Sequence, residues 1–207
     1  AFIDLLQNRE YSLHDRLVNV LSATAEIQYA LDEEDTEEIK AIAQELSHPE
    51  IIAERVESLK KALPEKPLEN AENMLLYLER LDFIGDILPQ QIKDASRFVK
   101  KLSAPLKAQT SGEYEKLAVY FVYRYFLKAV RDFDLLSKIK AMIVFVFAAE
   151  VINLSREQDA HARFETVKEL CKEIEYSGDN MDRIYDDSYL SDIFSDTSML
   201  ALLEWTL

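Results

Sequence analysis

The sequence predicts an all-α fold, a multi-helix bundle of about eight to ten helices packed around a buried central helix near residues 135–154. Three observations lead there. Three glycines and five prolines in 207 residues are too few turn residues for the hairpins of a β-rich fold. Apolar residues recur at spacings of three, four and seven along most of the chain, the period of a helix face. Nine apolar residues in a row, Ala141 to Ala149, follow Lys138 and Lys140 and stop at Glu150. That run is far short of the roughly 20 residues of a membrane span and reads as a buried helix. A 48% hydrophobic, 30% charged chain of this length is a folded one that can bury a sizeable core.

The elements follow in order. Ala1 to Leu6 is a helix-like phrase. Ser12 can cap a helix with Asp15 in its first turn; its stripe is Leu13, Leu17, Val20, Leu21, Ile27 and Leu31. Six acids among residues 32–38 make a solvated turn, with Asp35 or Thr36 capping the next helix, to about Leu46. A calcium loop does not fit there, because the alternating acids and central glycine are missing. Ser47-His48-Pro49 breaks the pattern, and Pro49 suits the first turn of a helix to about Leu63. Pro64-Glu65-Lys66-Pro67 is a connector. Either residues 1–207 form a single helical domain, or the connector joins subdomains 1–63 and 68–207.

Met74, Leu75, Leu78, Leu81 and Ile84 form the next stripe, ended by Gly85 and Pro89. Helices are expected over about Gln90 to Ala104, Tyr114 to Val130 and Leu135 to Leu154, with a polar loop from Pro105 to Gly112. Ser155 is expected to cap a helix to about Tyr176, and Ser177-Gly178-Asp179-Asn180 to break it. Short helices fill the remainder. No internal repeat is visible.

Charge and rare residues exclude several functions. A net charge of −15 without a basic run opposes nucleic acid and anionic membrane surfaces. The scattered glycines make no phosphate loop or dinucleotide fingerprint. One cysteine, Cys171, cannot build a disulfide framework, a cysteine zinc site or an iron–sulfur cluster, and it reads as an apolar filler. The histidines show no H-x-x-x-H spacing, and the pair of Glu-x-x-His motifs of a di-metal carboxylate bundle is missing. No metal site is expected in this chain; His14 and His161 are expected on helix surfaces. Glu165, Glu169 and Glu173, with Lys168 and Lys172, read as an exposed salt-bridged face. Arg124, set among tyrosines, is expected to meet a carboxylate, with Glu150 on the neighbouring helix as its partner.

Three phrases carry a resemblance. They are Leu5-Leu6-Gln7-Asn8-Arg9-Glu10-Tyr11-Ser12 with Asp15-Arg16-Leu17; Tyr120-Phe121-Val122-Tyr123-Arg124-Tyr125-Phe126-Leu127-Lys128-Ala129-Val130 with Asp132 and Asp134-Leu135-Leu136; and Cys171-Lys172-Glu173-Ile174-Glu175-Tyr176-Ser177 with Asn180. Their order and spacing resemble the C-terminal part of flagellin lysine-N-methylase-like proteins, over roughly Ala1 to Ile184. The resemblance implies a helical domain of a bacterial, cytoplasmic methylase. That domain packs against a cysteine-rich, metal-binding part that this chain lacks. S-adenosylmethionine and an iron–sulfur or other metal centre belong to the full-length protein, none to this chain, which alone is expected to be inactive. Ala1 is no initiator residue, and a larger protein is expected. The partners implied are a protein substrate, flagellin, and the missing N-terminal part. Tyr123, Arg124, Tyr125 and Glu150 are the residues expected at the substrate or interdomain cleft, since tyrosine faces attract a lysine cation; no catalytic residue is assigned. The alternative is a non-catalytic acidic interaction module, docking through residues 177–207, where Tyr185, Tyr189, Phe194 and Trp205 interleave with acids.

Overall fold

Side-chain caps set where the chain enters its helices. The Ser12 hydroxyl accepts from the Asp15 N–H at 3.1 Å and opens α2 (Leu13–Asp32), after a short α1 (Phe2–Gln7). Asp35 accepts from the N–H groups of Glu37 and Glu38 and opens α3 (Thr36–Glu45). These caps satisfy amides that a helix start leaves free. Proline stands at the head of α4 (Pro49–Ala62) and α5 (Pro67–Leu78), where its missing N–H costs nothing. Then come α6 (Ile87–Val99), α7 (Gly112–Tyr125), one 3₁₀ turn, the four-residue α8 (Ala129–Asp132), and α9 (Leu136–Arg156). Next are α10 (Ala160–Leu170), a π turn over Cys171–Glu175, α11 (Gly178–Leu190), another 3₁₀ turn and α12 (Asp196–Leu203). The computed structural model describes residues 1–62, 66–106, 112–156 and 159–205, and holds no strand among them. The expected helix end at Leu63, half of the Pro64–Pro67 connector and most of the 105–112 loop lie outside the described residues.

The nine-residue apolar run becomes the middle of α9, against which α2, α6, α7, α10, α11 and α12 all pack. Every residue from Ser137 to Asn153 is buried, as a helix apolar on all sides must be. One hydrophobic cluster takes residues from Phe2 to Trp205, on both sides of the connector. Phe121 and Phe145 meet at 4.6 Å between ring centroids, joining α7 to α9, and Phe147 meets Trp205 edge-on at 6.2 Å.

Several expectations are corrected. The fifth helix stops at Leu78, so Ile84 leaves the stripe and is 99% exposed. Asn180 and Glu173 hold the 82–85 loop instead: Asn180 bonds both the N–H and the C=O of Asp82, and Glu173 accepts from the N–H groups of Ile84 and Gly85 at 2.8 and 3.2 Å. Glycine suits position 85, since a Cβ there would stand 3.0 Å from a Glu173 oxygen. Asp159, rather than Ser155, caps α10; the Ser155 hydroxyl turns back to the Ile152 carbonyl inside α9. His14 is buried, with Nδ1 3.1 Å from Asp15 and Nε2 3.3 Å from Glu204, because α2 and the C-terminal end close over it. His161 is exposed as expected.

Candidate functional site

The end of α7 carries Tyr120, Arg124 and Tyr125. Tyr120 and Arg124 stand one turn apart on the same face. Opposite them the chain leaves α10 through the π turn, marked by the Tyr176 N–H donating to the Cys171 carbonyl at 2.9 Å. The wider turn takes one extra residue, and π turns gather at functional sites. It buries two carboxylates two residues apart, on two sides. Glu173 goes to the 82–85 loop and is buried, while still pairing with Lys172 at 3.0 Å, at the edge of the exposed face on which Lys168 pairs with Glu165 and Lys172 with Glu169. Glu175 goes to α7.

The Glu175 side chain is fully buried. Its Oε1 accepts from the hydroxyls of Tyr120 and Tyr125, each at 2.6 Å, and lies 3.0 Å from Arg124 Nε. Arg124 Nε also donates to the Tyr125 hydroxyl at 3.1 Å. The carbon of the guanidinium stands 5.8, 5.5 and 5.6 Å from the ring centres of Tyr120, Tyr125 and Tyr176. One cation thus sits among three tyrosine rings above a buried carboxylate, within range for cation–π attraction. Burial, then the bonds to Glu175, push both Tyr120 and Tyr125 far above the ordinary phenol value. Hydrogen bonding to Tyr125 raises Arg124 further. Cys171 lies beside Glu175. Burial and that carboxylate push its thiol up, so it stays protonated and unreactive at neutral pH.

The expected site residues are partly brought together. Arg124 and Tyr125 meet directly. The partner of Arg124 is Glu175, rather than Glu150. Glu150 is buried inside α9, where its charge, after burial itself, helps push the Tyr114 phenol up to about 12. Tyr123 points the other way, 74% exposed, on the rim of an apolar hollow of about 670 Å³ between α1 and the end of α7. Tyr120, Tyr176 and Glu175 complete the site. The signal for them is that the second and third phrases, distant in sequence, meet here. In the C-terminal stretch, Phe194 and Trp205 are buried in the core, so they present no docking face.

A second network joins the first phrase to α7. Buried Arg16 donates to the Leu6 and Ser12 carbonyls and, at 2.7 Å, to Glu115. Arg9 grips Glu115 from outside through Nε and Nη2. Both arginines hold the Glu115 carboxyl below the usual range.

Among the described residues no three His, Cys, Asp or Glu side chains converge as metal ligands would. With one thiol and three scattered glycines, the residues of this chain do not fit an iron–sulfur centre or a glycine-rich methyl-donor loop. Among the described residues no helix is long and apolar enough to cross a membrane. A family model described as the FliB lysine N-methylase C-terminal domain matches residues 1–202. No curated protein and no solved structure matches the chain.

Proposed function

The chain belongs to the FliB lysine N-methylase C-terminal domain family, and from that premise we propose that it is the helical region of an S-adenosylmethionine-dependent methylase acting on flagellin lysines. It packs against a cysteine-rich metal-binding part supplied from outside this chain. The end of α7, with Arg124, Tyr125 and the exposed Tyr123, borders the cleft between the two. The methyl donor and the metal centre belong to that other part. This reading places the protein in the bacterial cytoplasm.

The observation that carries it is the extent of the family match, which covers all three phrases and both networks built from them. Two features support it. Tyrosine faces around a buried carboxylate are a setting for a lysine cation. A net charge of −15 draws in a basic target segment.

The test is mass spectrometry of flagellin co-expressed with the gene's full reading frame or with residues 1–207 alone. Methyl-lysine made by the long form alone is the expected result. A long form that leaves flagellin unmodified would overturn the reading.

A further inference from the structure

We propose that Tyr120, Tyr125, Tyr176 and Glu175 form a binding box for a lysine ammonium group of the target protein, and that Arg124 is its built-in plug. The identity of the target rests on the function proposed above; the box rests on the geometry.

Arg124 sits in the box as a loose occupant. Three arginines grip carboxylates with two nitrogens: Arg55 on Glu26, Arg163 on Glu113, Arg9 on Glu115; buried Arg16 reaches Glu115 through Nη1 alone but also holds two carbonyls. Such forks are the strong form of the contact. Arg124 offers Glu175 its Nε alone, and its terminal nitrogens bond no group of the described residues. Its side chain remains 44% exposed, so it can swing outward. Beneath it, Glu175 Oε2 is buried, and no N–H or O–H donor among the described residues reaches it. The Cys171 thiol beside Glu175 is a weak donor, and a buried carboxylate oxygen with no N–H or O–H donor is costly and calls for one. The opening is walled by Tyr176, itself 66% exposed. Lys128 Nζ also lies 4.6 Å from the Tyr125 ring, so cations already gather here.

An ammonium entering in place of the guanidinium keeps the three ring faces and can point an N–H at Oε2. The box therefore favours lysine or monomethyl-lysine, which carry N–H donors, over trimethyl-lysine, which carries none. It holds the charged amine. Attack on a methyl donor needs the neutral amine, so the box recognises the target and is not where the new bond forms. A seated plug lowers the apparent affinity by the fraction of molecules in which the box is open.

The test uses the 207-residue chain and short capped peptides bearing one lysine, monomethyl-lysine or trimethyl-lysine, with binding read by calorimetry. Arg124→Gln is expected to bind the lysine peptide at least about tenfold more tightly than the wild type, the release expected if the plug is seated in nine molecules of ten. The trimethyl peptide should bind about tenfold more weakly, the worth of one charge-assisted hydrogen bond. Equal binding by both proteins, or tighter binding of the trimethyl form, overturns the proposal. Should Arg124→Gln fail to fold, Arg124 is a structural counter-ion and the plug is overturned. The box is then read in the wild type, where excess lysine peptide must shift the Arg124 Nε–H resonance and Tyr176→Ala must abolish that shift. No shift overturns the box as well. Flagellin methylation is not part of this readout. Peptide binding by a protein whose long form methylates nothing would break the methylase reading and keep the box.

Discussion

Glu115→Gln removes one charge from a place where the structure makes that charge indispensable. Arg16 is 2% exposed, and a guanidinium has no acceptor of its own and needs a counter-ion when buried. In the variant it keeps the Leu6 and Ser12 carbonyls but loses its counter-ion. Breaking a buried pair from one side costs about 3–5 kcal/mol. Two retained carbonyl acceptors place this case near the lower end, about 3 kcal/mol. For 207 residues the unfolding entropy is about 0.43 kcal/mol/K, so the expected fall in Tm is about 7 °C. Differential scanning calorimetry of both proteins at pH 7 gives the difference. Replacing both partners with Arg16→Met and Glu115→Leu should recover only part of the loss, since an apolar pair leaves no orphaned charge but takes the Arg16 donor from the buried Leu6 carbonyl. The folded-state pKa of Glu115 lies below its unfolded value. The stabilisation is therefore complete above the ordinary glutamate range and is lost as pH falls through the folded value. The gap between wild type and Glu115→Gln should hold from pH 7 to about 5 and close in more acid solution. A variant melting within about 1 °C of wild type at pH 7 would refute the reasoning, because Arg16 would then be satisfied without its partner.

Three further predictions follow from other contacts. Asn180→Ala removes three hydrogen bonds to Asp82 and Glu173; it should cost about 2 kcal/mol and speed amide exchange at Asp82, Ile84 and Gly85 before the rest of the chain. Ile84→Lys should shift stability by less than about 0.5 kcal/mol in chemical denaturation, since the side chain is wholly exposed. Trp205→Ala empties a fully buried site against Phe147 and should cost about 3–5 kcal/mol. The single tryptophan of the wild type should emit from an apolar setting until the chain unfolds.

Helix positions are legible in the sequence because caps and prolines act locally: Ser12, Asp35, Pro49 and Ser177 each sit where the chain enters a helix. The central helix is legible because nine apolar residues admit no polar face. The site is half legible. Arg124 among tyrosines signals a cation in need of a carboxylate, but choosing Glu150 assumes that the nearest acid in the next helix faces it. The π turn decides otherwise, since an extra residue at 171–175 changes which acids face inward, and no helical-wheel count contains that residue. The same turn buries Glu173, although its pairing with Lys172 is kept. Ile84 misleads because a stripe of four true core positions continues by chance into a loop, whose bonds to Asn180 and Glu173 span 98 and 89 residues of sequence. His14 and Trp205 illustrate the same limit: burial against a segment distant in sequence, Glu204 for one and Phe147 for the other, leaves no local mark.

The most direct measurement is flagellin lysine methylation by the full reading frame carrying Glu175→Gln. This change keeps the side chain's shape and removes the charge that the box offers to a lysine. Mass spectrometry of co-expressed flagellin gives methylation, and a melting curve of the same variant gives the fold. The account predicts a fall in methylation of at least about tenfold, the weight of one charge-assisted contact, in a protein that still unfolds cooperatively. Undiminished methylation by the folded variant would contradict it.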